Sequence, residues 1–540
     1  MKPRVVAGVI ALFVAVGVVL GVVLLGPSFF AGASSSSRAN DATAQQTSTG
    51  NAIVRENALL GTSSWRIPAG RESVTQIQAY ASSTSALPGK SLSFYVSTQH
   101  DGTHYWIDIY RLGWYGGSGG RLVTSVGEQV GRDQGYYDTS TRHLMNCTSC
   151  VIDSKTGMVE ANWKVSYTLN VSSDWTTGVY LAKFTDSRGV QTYTPFDVVS
   201  ADSTSTYVAV TPDTTYAAYN DWGGSSLYES ENGLFGESDA TAKGTKVSFD
   251  RPYVQQDGSS QALIFEANAI RWLERQGYDV SYISNVNLHN VPSQLQRHKA
   301  YISLGHDEYW TKEMRDGIEQ ARDAGVGLAF FGANASYWQM RFEPDSRGVP
   351  NRTVICYKVE TGKNDLDRDP FYGKDNTRVT SQWRDPVLGR PENALIGIMY
   401  SDLTHKRQGF PWQVNTAANS PLLADTGLQP EQQYGCGLVG YEWDRIFNNN
   451  ATPKGLQILA TSSTVTDTGT TDKSNTTYYI APSGAMVFAS GSIYWAYALD
   501  SYRVNVDKVC GSKNAAVSNI QVLMTHVMDA LVTHHTVSNQ

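Results

Sequence analysis

Basic charge is in short supply in this sequence: 43 Lys and Arg stand against 50 Asp and Glu over 540 residues, a formal net charge of −7. Binding nucleic acid through its phosphates takes a concentrated basic surface, so no nucleic-acid partner is expected. Charge of either sign is scarce, at 17% of residues, yet an apolar share of 41% can support burial, which excludes large-scale disorder. Cysteine is sparse and odd in number (Cys147, Cys150, Cys356, Cys436 and Cys510), which makes no disulfide framework. Cys147-Thr-Ser-Cys150 has metal-knuckle spacing, but no second such pair or His pair completes four ligands, so a local disulfide is the expectation. A Walker loop, an HExxH motif and a GxGxxG turn after a strand are all missing. Asp365, Asp367 and Asp369 alternate like a calcium loop, but Pro370 sits where that loop needs Gly, and they read as a solvated loop.

Aromatic side chains are abundant instead: 13 Trp, 30 Tyr and 16 Phe, 11% of the chain. With Gly, Ser and Thr plentiful, this is the composition of an exported, β-rich protein. Lys2 and Arg4 precede an uncharged run of 21 residues, Val5 to Leu25. As a helix rising about 1.5 Å per residue, the run is about 30 Å long, enough to cross a bilayer. Residues 1–31 are therefore expected to be a membrane anchor, or a signal peptide cut near Ala31-Gly32-Ala33. Either one leaves the body extracytoplasmic, anchored to the membrane or secreted. Residues 32–61 show no helical or strand period and read as a flexible Ser/Thr-rich tether.

Between residues 62 and 200 the apolar residues alternate in short runs: Leu92, Phe94 and Val96; Tyr105, Ile107 and Ile109; Val165, Tyr167, Leu169 and Val171; Tyr180, Ala182 and Phe184. Period two predicts half-buried strands and an antiparallel β-sandwich. From 201 to 540 the pattern changes. A strand at Tyr207–Val210 precedes a helix whose face carries Phe265, Ala269, Trp272 and Leu273, stopped by Gly277. A strand 278–283, a strand 300–304, a helix carrying Met314, Ile318 and Ala321, and a strand 326–331 follow. A terminal helix carries Val517, Ile520, Leu523, Val527 and Leu531. The expected fold is multidomain: the β-sandwich, then a flavodoxin/glutamine-amidotransferase-like α/β domain with a parallel sheet.

In open α/β sheets ligands bind beyond the carboxyl ends of the strands. Leu304-Gly-His-Asp-Glu-Tyr-Trp310 begins at such an end, so His306 and Glu308 can point into one crevice, and Thr311 can cap the next helix. The neighbouring strand ends in Gly332-Ala-Asn334. Thr215-Tyr-Ala-Ala-Tyr-Asn-Asp-Trp-Gly-Gly-Ser-Ser-Leu-Tyr228 sets three tyrosines around a Gly-Gly turn, Arg251-Pro252-Tyr253 adds a fourth, and Gly440-Tyr-Glu-Trp443 offers another acid. Polar groups converging from several strand ends are what a pre-formed site requires.

Together these motifs, with Tyr110-Arg-Leu-Gly-Trp-Tyr-Gly-Gly117 and Asp174-Trp-Thr-Thr-Gly-Val-Tyr180, resemble the large subunit of N,N-dimethylformamidase over roughly residues 65 to 530. The resemblance implies hydrolysis of a small amide C–N bond at a mononuclear iron held by two tyrosines and a glutamate. It makes Glu308 the carboxylate ligand, with Tyr219 and Tyr253 as the phenols and Tyr228 in reserve. Glu442 becomes the candidate general base, with His306 and Asn334 beside it. Phenolates and a carboxylate are hard donors suited to ferric iron; zinc is the alternative metal. Beyond the small amide substrate, the resemblance implies a small partner subunit, and a homo-oligomer is the other partner expectation. The competing reading is a non-catalytic or glycan-directed cell-surface module using the same aromatic crevice.

Overall fold

The computed structural model describes residues 50–228, 243–404, 408–416, 419–502 and 517–533. The apolar run, most of the tether and Cys510 lie outside them. Among the described residues, no helix is long and apolar enough to cross a membrane. The described residues belong to one compact unit, mostly β, with several sheets and a few helices.

Residues 51–57, at the end of the segment read as a tether, are ordered as a short helix, Ala52–Asn57, capped by the Asn51 side chain. Its Ile53 and Glu56 are buried. The alternating runs that follow form two sheets. Ile77–Ala81, Ser91–Thr98 and Tyr167–Asn170 make an antiparallel three-stranded sheet. Gln191–Val198, Gly178–Asp186, His104–Leu112 and Gly120–Val130 make an antiparallel sheet with the short edge strand Ser85–Ala86. Leu92, Phe94, Val96, Ile107, Ile109, Leu169, Tyr180 and Phe184 from both sheets share one core. The alternation overreached at Val165, which is exposed and precedes the strand. Cys147 and Cys150 are joined as a disulfide, as their spacing led us to expect.

The second part is organised on a seven-stranded sheet. In order across it run Val280–Ser284, Tyr207–Thr211, Ala300–Leu304, Gly327–Phe331 and Met486–Ala489, all parallel. Thr471–Ile480 and Gln457–Val465 extend it antiparallel. The parallel strands are buried along their length because helices and loops cover both faces. Helix Ala267–Arg275 stops before Gly277, whose φ of 73° a side chain would disfavour. Helix Lys312–Asp323 starts at Thr311, whose hydroxyl accepts from the Met314 amide. The acidic alternation near 365 is not all solvated: Asp369 is buried and accepts from Arg341 (2.9 Å) and from the Thr380 amide (2.7 Å).

The two parts are locked by a buried ion pair. Arg111, on strand His104–Leu112, donates through both Nη atoms to Glu274 on helix Ala267–Arg275, at 2.9 and 2.8 Å. Its remaining donors reach the Thr177 and Leu112 carbonyls and the Tyr115 hydroxyl, so the guanidinium is fully used. Glu274→Leu should lower unfolding stability by about 3–5 kcal/mol, because it strands a buried charge; chemical denaturation showing a loss below about 1 kcal/mol would contradict this.

A pH effect follows from Asp197, which burial pushes up to about 8 although the Thr211 hydroxyl donates to it. Unfolded, it titrates near about 3.9. The folded chain therefore binds this proton more tightly than the unfolded one, and stability falls as pH rises from about 4 to about 8. Asp197→Asn should flatten that fall in denaturation midpoints measured across the range; an unchanged slope would show that other groups set it.

Candidate active site

Two glycines let the site form. Gly305 ends strand Ala300–Leu304 with φ 59°, and a Cβ on Gly332 would lie 1.9 Å from the Gly305 carbonyl oxygen. The ends of two adjacent parallel strands can approach this closely only with glycine there. The following residues are stapled together: the Ser336 amide donates to the Asp307 carbonyl (2.9 Å), and the Tyr337 and Trp338 amides donate to the Glu308 carbonyl (2.9 and 3.0 Å). Asp307 itself turns inward, accepting from Asn285 and Ser303 at 2.8 Å each. Its role is structural.

Glu308 is 2% exposed. Two phenols satisfy it: Tyr219 donates to one carboxylate oxygen at 2.8 Å and Tyr228 to the other at 2.6 Å. Tyr219 closes helix Asp213–Tyr219, and Tyr228 follows the Gly223-Gly224 turn, so the turn brings the two rings into a stack with centroids 4.2 Å apart. Tyr309 extends the network by donating to the Tyr228 hydroxyl at 2.6 Å. Burial, followed by the Glu308 charge, holds the Tyr219 and Tyr228 phenols well above their ordinary range. Burial would also raise Glu308, but His306, Lys358 and Tyr228 together outweigh it and hold the carboxyl below its usual value.

His306 Nε2 lies 3.3 Å from Glu308 and 3.4 Å from Glu442, and Nδ1 lies 3.2 Å from Gln261 Oε1. Burial alone would lower the imidazole; the two carboxylates overcome it and push His306 up to about 10. Asn334, at φ 59°, donates from Nδ2 to Glu442 at 3.0 Å, while its amide donates to Asp444 at 2.8 Å. Asn334 Oδ1, on a side chain that touches Glu442, is buried without a hydrogen-bond partner.

The structure thus gathers Tyr219, Glu308, His306, Asn334 and Glu442. It does not bring Tyr253 to them. Tyr253 packs edge-on to Tyr216, centroids 6.1 Å apart, in a small cavity with Asp197 and Asp213; Tyr228 occupies the second phenol position at Glu308. The Arg251-Pro252-Tyr253 motif has a different job. Arg251 donates to the carbonyls of Asn220, Trp222 and Ser225 at 2.6, 2.8 and 2.8 Å, fixing the turn that presents Tyr228. Sequence reasoning missed Gln261 and Lys358. Lys358 Nζ sits 3.4 Å above the Tyr228 ring centroid, and burial lowers its ammonium to about 8 against the opposing pull of Glu308. No periodicity or motif flags either residue; a positive φ of 52° at Lys358 is visible only in the fold.

Among the described residues, no group of three or more His, Cys, Asp and Glu side chains is arranged to hold a metal ion. The donor set here is of another kind, one carboxylate and two phenols. In metal-free protein, Tyr228→Phe leaves Glu308 Oε1 without its hydrogen bond, and Tyr219→Phe leaves Oε2 with only the His306 imidazole at 3.3 Å. Each should cost about 1–3 kcal/mol in chemical denaturation, and neutral substitutions would contradict the proposed dependence of Glu308 on its phenols.

The family model described as N,N-dimethylformamidase beta subunit-like, C-terminal, matches residues 106–510. No curated protein matches the chain. One similar solved structure is a cycloisomaltooligosaccharide glucanotransferase from Paenibacillus sp. complexed with cycloisomaltoheptaose, at TM-score 0.15 and 10% identity, covering 53% of this chain and 34% of that one. Another is a family 123 glycoside hydrolase from Clostridium perfringens, at TM-score 0.11 and 7% identity, covering 56% of this chain and 57% of that one. The chain spans less than two thirds of either, and likeness at these scores carries no functional weight.

Proposed function

The chain belongs to the N,N-dimethylformamidase beta subunit-like family, and on that basis we propose that it hydrolyses the C–N bond of a small amide with the help of ferric iron. The observation that carries this reading is the convergence of two phenols on one buried carboxylate. Three hard oxygen donors are a set that suits ferric iron. Tyr219, Tyr228 and Glu308 would hold it. When bound, the metal would polarise the amide carbonyl and acidify water.

The remaining residues move protons and hold geometry. Glu442 takes a proton from the attacking water as the new C–O bond forms, and returns it to the amine nitrogen as the C–N bond breaks. The Asn334 amide orients Glu442 through the 3.0 Å hydrogen bond, and leaves its own carbonyl oxygen free for water or substrate. His306, held protonated between Glu308 and Glu442, keeps two carboxylates from repelling one another across the site. The finer architecture belongs to the same proposal: a β-sandwich packed on a flavodoxin-like sheet, carried outside the cell by the apolar run Val5–Leu25.

The test is turnover of small formamides, N,N-dimethylformamide among them, by the iron-loaded full chain, with amine release as the readout. Glu442→Gln should lower kcat by about a hundredfold or more with iron retained. Turnover unchanged by that substitution removes Glu442 from the proton path. A chain that takes up no iron loses the metal assignment.

A further inference from the structure

The five-stranded sheet has a second face, opposite the core, and among the described residues only half of it is covered. Alternation along His104–Leu112 sends Tyr105, Ile107 and Ile109 into the core and Trp106, Asp108 and Tyr110 outward. Part of this outer face is capped by residues 64–67: Lys183 Nζ donates to the Ser64 carbonyl at 2.5 Å, and the Tyr193 hydroxyl to the Trp65 carbonyl at 2.6 Å. Among the described residues the cap stops there. The next row, Trp106, Thr185 and Gln191, is aligned across three strands by direct pairing, and with Asp108 and Ser125 it lines a shallow concavity of about 550 Å³.

We infer that this open half-face binds a neutral glycan, at a place separate from the Glu308 crevice. Three observations select that chemistry. Trp106 is 37% exposed, a large aromatic left facing solvent beside polar neighbours, and an indole is amphipathic enough to pack against the C–H face of a pyranose ring. Gln191 Oε1 is buried and has no hydrogen-bond partner, while its Nε2 is used by Thr185 (3.2 Å). A buried acceptor left unpaired costs free energy that a ligand donor can recover. The lining holds one carboxylate, Asp108, which accepts from Ser125 at 2.6 Å, and no cation. An anionic ligand therefore finds no partner, and a purely apolar one leaves the acceptors unmet. A neutral, donor-rich ring with one apolar face meets both demands.

The experiment is calorimetric titration of the full chain with cellohexaose, xylohexaose and mannohexaose. At least one should bind, Trp106→Ala should weaken it about tenfold or more (about 1.4 kcal/mol), and Gln191→Leu should weaken it severalfold. Trp106 is partly exposed, so its variant keeps the fold, checked by an unchanged melting temperature; Trp106→Phe should retain part of the affinity. Failure of all three hexasaccharides to bind at millimolar concentration overturns the proposal, as does binding that Trp106→Ala leaves unaltered. Sedimentation showing a dimer that Trp106→Ala dissociates would instead make this face a contact between copies, and would also overturn it. Amide turnover is unaffected by these variants, so the outcome is independent of the reading of the Glu308 site.

Discussion

An ionised carboxylate taken out of water costs several kcal/mol unless charge and hydrogen bonds replace the lost solvent. Glu308 is such a group, and much of the site can be understood as the set of partners that permits it. Tyr219 and Tyr228 supply one hydrogen bond to each oxygen, and His306 supplies opposite charge. Each partner in turn needs a scaffold: the helix ending at Tyr219, the Gly223-Gly224 turn held by Arg251, and the close glycine approach at Gly305 and Gly332.

The same interior sorts its acids by environment. Asp197, Asp213 and Glu266 are buried without a cation beside them, and desolvation raises all three. Glu308, equally buried, is lowered because His306, Lys358 and the Tyr228 hydroxyl face it. The interior thus sets carboxyls raised by burial apart from Glu308, which its neighbours hold below its usual value. That separation suits a site that is to hold a cation, since the charge is concentrated where the phenols converge.

What was legible in the sequence follows from the range of each signal. Period two marked the strands of both N-terminal sheets, and period 3.6 marked helices Ala267–Arg275 and Lys312–Asp323. Strand-end position named His306, Glu308 and Asn334, because the parallel sheet brings successive strand ends side by side. The choice between tyrosines was not legible. Tyr253 and Tyr228 sit in comparable aromatic motifs, and only the path of the chain, with Arg251 pinning three carbonyls, decides which phenol reaches Glu308. Gln261 and Lys358 act through contacts made far along the chain, which no local pattern records.

We propose that Tyr219 and Tyr228 are the phenols that would hold iron with Glu308. Resonance Raman spectroscopy of the iron-loaded chain tests it most directly, since phenolate ring modes are enhanced only when a tyrosine is bound to the metal. Such modes should appear in the native chain, diminished in both Tyr219→Phe and Tyr228→Phe, and unchanged in Tyr253→Phe. Loss of the modes in Tyr253→Phe, or iron bound with no phenolate modes at all, would contradict it.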